Sequence, residues 1–151
     1  MAIDSFMVPA MAKKTNYLDH LANVPLFSSC SKKELQLLGQ LCDETAIKEG
    51  KVLVRQGTVG YECYVIVEGE AKVERNDRVI TTMGPGAYFG ELALLDKGPR
   101  SATVQALTDM TVLVMGPREF ATALDRIPGL STKIMAGLAR RLRDMDARFA
   151  G

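Results

Sequence analysis

The spacing of apolar residues changes twice along the chain, and each change marks a different kind of element. Between Ser31 and Cys42 the apolar positions Leu35, Leu38 and Leu41–Cys42 recur every three or four residues, the period of one helical face. Ser31-Lys-Lys-Glu34 reads as a capping box, with Ser31 the N-cap and Glu34 at N3, so a helix opens there and its stripe reads as core packing. A shorter helix is expected over 17–22, ending near Pro25, because proline cannot continue a helical hydrogen-bond ladder. Residues 1–16 read as a loose tail ahead of a domain of residues 17–151, and the pattern allows a start at either Met1 or Met11.

From about Thr45 the period falls to two. Residues 51–55, 61–67, 70–74, 79–83, 102–107 and 110–115 read as short strands, with Ala71 and Val73 on one face and Lys72 and Glu74 on the other. Asn76-Asp77 suits a tight turn, Gly84-Pro85-Gly86 interrupts the pattern, and Thr108-Asp109 is expected to turn a last hairpin. Gly57, Gly60 and Gly69 fall at turns. Many short strands with glycine-rich turns predict a mainly β sandwich or rolled barrel over 45–115.

Helical spacing returns after Met115. Pro117 fits a first helical turn, followed by a helix to Arg126, a break at Pro128-Gly129, and a second helix over about 130–148 with Ser131 as its cap. Its apolar stripe is Leu130, Ile134, Leu138, Leu142, Met145 and Phe149 along roughly 28 Å of helix. Arg140, Arg141, Arg143 and Arg148, with Asp144 and Asp146 among them, read as a solvated face. Three uses of this helix stay open: packing along its own barrel, a lid over a ligand, or a coiled-coil-like homodimer seam of fewer than three heptads.

The 151 residues suffice for one domain, and 47% hydrophobic content places it among globular chains. A net charge of +1 disfavours a large nucleic-acid surface. No apolar run approaches the roughly 18 residues of a membrane span, and the N-terminus lacks a basic region followed by an apolar one, so a cytoplasmic protein is expected. Cys30, Cys42 and Cys63 show neither metal-ligand nor disulfide spacing and read as ordinary reduced or buried thiols. The sole histidine, His20, reads as a helix-packing or surface residue.

The chemistry concentrates in residues 86–106. Glu91 stands nine positions before Arg100, and between them runs a short apolar turn opened by Gly90 and closed by Gly98-Pro99. An anion at the start of that turn is offered backbone N–H groups, the positive end of a helix dipole and the Arg fork. A carboxylate repels the same anion and needs a donor instead, such as a sugar hydroxyl. One acceptor and one guanidinium therefore fit a small ligand carrying a hydroxyl beside a phosphate, as a ribose cyclic phosphate does.

Residues 89–104, Phe-Gly-Glu-Leu-Ala-Leu-Leu to Pro-Arg-Ser-Ala-Thr-Val, resemble the phosphate-binding cassette of the cyclic nucleotide-binding domain family, and the resemblance extends over about 17–148. It implies a jelly-roll-like β-barrel with N-terminal helices (17–42) and two C-terminal helices (117–148). It implies that Glu91 accepts from the ribose 2′-hydroxyl and Arg100 clamps the cyclic phosphate of cAMP or cGMP. Gly90, Leu92 and Ala93 would present backbone groups, and Ser101, followed by Ala102, would add a hydroxyl. Thr58 departs from the family, which often carries an acid after that glycine. The chain shows no helix pair after Arg148 to read DNA, so the expectation is a sensing module that signals to a separate protein effector through its C-terminal helices. No cofactor and no metal are expected. Catalysis is not either, since a single His supplies neither a metal cluster nor a triad. Two rivals remain: a structural Glu91–Arg100 ion pair, and a scaffold or interaction protein using the barrel without a nucleotide.

Overall fold

The computed structural model describes residues 17–150, the last four as helical backbone only, so the expected tail at 1–16 lies outside the described residues, as does the side chain of Phe149. The chain opens with helical residues 17–22 (α1), a single 3-10 turn at Pro25–Phe27 and helix α2, Lys32–Leu41. The capping box forms as expected: Glu34 N–H donates to Ser31 Oγ (3.2 Å) and Ser31 N–H to Glu34 Oε1 (2.7 Å). Leu35 and Leu38 are buried, with Leu41 and Cys42 leaning on the same cluster.

Ten short strands follow: β1 Asp43–Ile47, β2 Val52–Val54, β3 Val59–Gly60, β4 Cys63–Glu68, β5 Ala71–Arg75, β6 Arg78–Met83, β7 Tyr88–Phe89, β8 Gly98–Pro99, β9 Thr103–Ala106 and β10 Met110–Met115. They form two four-stranded antiparallel sheets, β1-β10-β4-β7 and β2-β9-β5-β6, plus a small β3-β8 ribbon. The two-residue period then sorts the core. Ile66 and Val112 point between the sheets with Ile47, Ala71, Val104, Ala106 and Met110, while Val65, Val67, Leu113 and Met115 face the helices. Strands β4 and β10 are thus buried on both faces, which explains their unbroken apolar runs. This is the expected mainly β, jelly-roll fold with flanking helices.

Three local expectations need correction. Residues 102–107 and 110–115 do not pair as a hairpin: β9 lies in one sheet and β10 in the other. Both strands carry side chains for the same inter-sheet core, so Thr108-Asp109 turns a corner of the barrel, where Thr108 Oγ1 accepts from Glu70 N–H (3.0 Å). Gly98-Pro99 does more than close a turn, since it pairs with Val59–Gly60. Ser131 is not a cap, because α4 already begins at Leu130, after Gly129 at φ +76°. By contrast Asn76 and Asp77, at φ 54° and 63°, make the expected two-residue turn, closing the β5–β6 hairpin between Arg75 and Arg78.

Helix α3 spans Pro117–Arg126 and α4 Leu130–Ala150. Leu130 and Ile134 are buried and Leu138 packs beside them. At Gly137 the helix passes so close to the 3-10 turn that a Cβ would lie 2.3 Å from the Pro25 carbonyl oxygen. Lys133 pairs with Glu34, and Arg140 donates to Ser28 Oγ (3.3 Å) and Ser29 Oγ (3.2 Å). The first half of α4 is therefore seated on the chain's own N-terminal helical layer. Further along, the stripe surfaces, with Leu142 63% and Met145 46% exposed. Among the described residues, no helix is long and apolar enough to cross a membrane.

Candidate functional site

Strand β7 delivers the chain to Gly90, whose φ of +78° is a left-handed conformation that lets the backbone turn into the 3-10 segment Glu91–Leu94. Glycine is needed there for space as well. A Cβ would stand 2.4 Å from Arg100 Nη1 and 2.6 Å from the Glu62 carbonyl oxygen.

Arg100 is fixed at its backbone first. Its N–H donates to Thr58 O (2.8 Å) and its carbonyl accepts from Gly57 N–H (2.8 Å), while Thr58 Oγ1 donates to Arg55 O (2.7 Å). Thr58, the departure from the family pattern, thus shapes the turn that holds Arg100. The side chain then runs past Gly60, where a Cβ would sit 2.0 Å from Nε and 2.2 Å from Cζ. The guanidinium carbon lies 5.8 Å from the ring centroid of Tyr64. Tyr64 itself stacks on Phe89, its cross-strand partner, with centroids 4.8 Å apart and planes 10° from parallel. Among the described residues no carboxylate forms an ion pair with Arg100.

Glu91 is the one buried charged residue among the described residues, 6% exposed as a whole. Its partner is not Arg100, which removes the reading of a Glu91–Arg100 ion pair. Arg141 Nη1 of α4 donates to Glu91 Oε1 across 2.7 Å. The neighbourhood registers this carboxylate: burial first, and then Glu91, pushes both the Cys63 thiol and the Tyr88 hydroxyl upward in pKa.

A cavity of about 580 Å³ brings these groups together. Gly90, Glu91, Leu92 and Ala93 line one side, Arg100, Ser101 and Ala102 another, and Val54, Val73, Ile80, Met83 and Val104 form apolar walls. The size and the mostly apolar lining suit a small organic ligand. Two expected donors differ in detail. Ala93 N–H is turned back onto Gly90 O (3.1 Å), and Ser101 is exposed, its carbonyl accepting from Arg75 Nε (3.0 Å). Among the described residues no group of His, Cys, Asp or Glu is placed to hold a metal ion.

Arg141 is the site residue that the sequence reading assigned to a solvated face. Its position was legible: it lies seven residues after buried Ile134 and so shares that face of α4. Arg140, also placed on that face, is instead bound to Ser28 and Ser29.

Comparison with known proteins agrees with this geometry. The cyclic nucleotide-binding domain family model matches residues 44–126. The cyclic AMP receptor protein of Thermus thermophilus is 32% identical over 127 residues, covering 81% of this chain and 59% of that protein. A cAMP-dependent protein kinase regulatory subunit of Schizosaccharomyces pombe is 32% identical over 141 residues, 93% of this chain and 33% of the subunit. The chain therefore spans between a third and three fifths of these relatives' lengths. Among solved structures, the N-terminal domain of a transcriptional regulator from Streptomyces coelicolor superposes with a TM-score of 0.80 at 32% identity, covering 86% of this chain and 94% of that one. With the matched segment holding more than half of the residues, and with the barrel, the left-handed Gly90 and the Arg100 slot in place, the chain belongs to the cyclic nucleotide-binding domain family.

Proposed function

We propose that this chain is a cyclic nucleotide receptor module whose ligand state is passed to a separate protein partner through α4. The observation that carries the reading is the state of Arg100. Its guanidinium is held between two glycines, borders the cavity, and has no carboxylate partner among the described residues. A preorganised cation beside a turn of backbone N–H groups favours a singly charged phosphate diester. Glu91, already matched in charge by Arg141, has lone pairs left for a neutral donor, which a ribose 2′-hydroxyl provides. The apolar walls then take the base.

Signalling follows from the same contacts. A ligand that engages Glu91 acts on the carboxylate that holds Arg141, and α4 is fastened through Lys133 and Arg140 to the N-terminal helical layer. Ligand binding then shifts the population of α4 positions by no more than the ligand's difference in affinity for them. The exposed half of α4, with Leu142 and Met145, is the surface offered to an effector.

The test is isothermal titration of nucleotide-stripped protein with cAMP and with cGMP, beside Arg100→Ala. Saturable binding to the wild type, abolished in the variant with its melting transition intact, supports the receptor. No heat and no thermal stabilisation with either ligand favours the scaffold, and unchanged affinity in Arg100→Ala overturns the cassette assignment.

A further inference from the structure

We infer that Tyr64 is a positioning residue for phosphate recognition: its ring is the floor that sets where the Arg100 guanidinium lies. This rests on the receptor reading above and adds to it a residue that never touches the ligand's phosphate.

A guanidinium on a flexible side chain needs something to define its plane. The usual device is a bidentate carboxylate, and none is in place here among the described residues. Beside the Arg100 guanidinium lie instead the bare backbones of Gly60 and Gly90 and one aromatic face. Gly60 and Gly90 admit the side chain but, lacking Cβ atoms, make no side-chain bond that would orient it. Tyr64 lies beneath it at 5.8 Å from the ring centroid, within the range of a cation–π contact.

The ring in turn is not free to tilt. Register pairs Tyr64 with Phe89 across β4 and β7, and the two rings stack nearly parallel. Phe89 is the residue before Gly90, so the floor under Arg100 is tied to the entry of the cassette turn. The arrangement has an electrostatic merit. A carboxylate under Arg100 neutralises the charge the phosphate needs, whereas an aromatic quadrupole attracts the cation and leaves its full positive charge facing the cavity. Burial, followed by the charge of Glu62, raises the Tyr64 hydroxyl above its ordinary pKa, so at neutral pH the ring stays uncharged.

The contact belongs to the ring, not the hydroxyl, and that dictates the test. Tyr64→Phe keeps the face, and Tyr64→Leu keeps apolar bulk without it. Affinity for the tighter of cAMP and cGMP is measured by titration for wild type and both variants, with melting curves to establish folding. The pair is repeated in an Arg100→Gln background at millimolar nucleotide. Tyr64→Phe is expected to bind as wild type, and Tyr64→Leu about tenfold more weakly. Tyr64→Leu adds nothing once Arg100 is gone, because coupled residues are not additive. Wild-type affinity in Tyr64→Leu overturns the proposal, and so does a tenfold loss that persists in the Arg100→Gln background. Absence of binding by the wild type overturns the receptor reading and this one together, whereas tight wild-type binding weakened to the millimolar range by Arg100→Gln but indifferent to Tyr64→Leu overturns this one alone.

Discussion

Arg141 and Glu91, fifty residues apart in sequence, are joined by a 2.7 Å hydrogen bond from Nη1 to Oε1. The bond crosses from the last helix to the cassette. The carboxylate end is buried, with 8% of its side chain exposed, and the guanidinium end is 42% exposed. Such a half-sheltered pair lies between a surface ion pair, worth little, and a fully buried one, costly to break.

Arg141→Ala is therefore expected to lower stability by about 1 kcal/mol. The loss should be local. Amide exchange should rise over 138–146, where Leu142 and Met145 supply no buried anchor, and stay unchanged over 130–137, where Leu130, Ile134 and the Lys133–Glu34 pair hold the helix. Exchange measured by mass spectrometry checks this, and uniform protection in the variant would show that α4 is held by something other than Glu91.

Glu91→Ala tests the assignment of this carboxylate to a sugar hydroxyl. A hydrogen bond to a charged acceptor is worth about 1.5–3 kcal/mol, so the variant should bind the cyclic nucleotide roughly 10- to 150-fold more weakly. A 2′-deoxy cyclic nucleotide should show a similar deficit against the wild type. Combining the two should cost little more than either, because both remove the same bond. Full additivity in the four titrations would place the hydroxyl elsewhere.

Much of this was legible because it is local. The capping box of Ser31 and Glu34, the turn at Asn76-Asp77 and the Gly90-Glu91 entry to the cassette are each decided within a few residues by hydrogen-bonding side chains or positive φ. What escaped depends on where distant elements land. Strands β9 and β10 look like a hairpin by spacing, yet each has a better partner in a different sheet. Arg141 shares a helical face with Ile134 by its spacing, but only the seating of α4 on Pro25 brings that face to Glu91. The slot at Gly60 belongs to the same class, since its glycine serves a side chain forty residues away.

Gly60→Ala should separate folding from binding. The added methyl falls 2.0 Å from Arg100 Nε and 2.6 Å from Cδ, so the arginine must leave its slot. Gly60 has no left-handed backbone requirement, and the displaced group is a long side chain beside a cavity, so the barrel itself survives. The melting temperature should move by a few degrees, on the scale of about 1 kcal/mol, while nucleotide affinity falls as far as in Arg100→Ala. Retained affinity would mean that the phosphate is not held by Arg100 in this position.

The thiols give the fold an alkaline limit. Burial, reinforced by Asp43 and Glu119, pushes Cys42 from 9.0 up to about 12. Cys63 is raised as well, by burial and then by Glu91. An acid whose pKa is higher in the native than in the unfolded state holds its proton longer when folded. Its contribution is complete below the unfolded thiol's pKa and is lost as pH rises from about 9 toward 12. Between pH 8 and 10 the two thiols together should cost about 2–3 kcal/mol of unfolding free energy, at roughly 1.4 kcal/mol per pH unit for each titrating group. Urea unfolding across that range should show the decline, and a Cys42→Ala, Cys63→Ala double variant should flatten it. In the native wild type both thiols should react slowly with a thiol reagent at pH 8, because neither is ionised there. A double variant with the same alkaline slope as wild type would assign the limit to other groups, among them Tyr17, whose hydroxyl is raised by burial and by its hydrogen bond to Glu44.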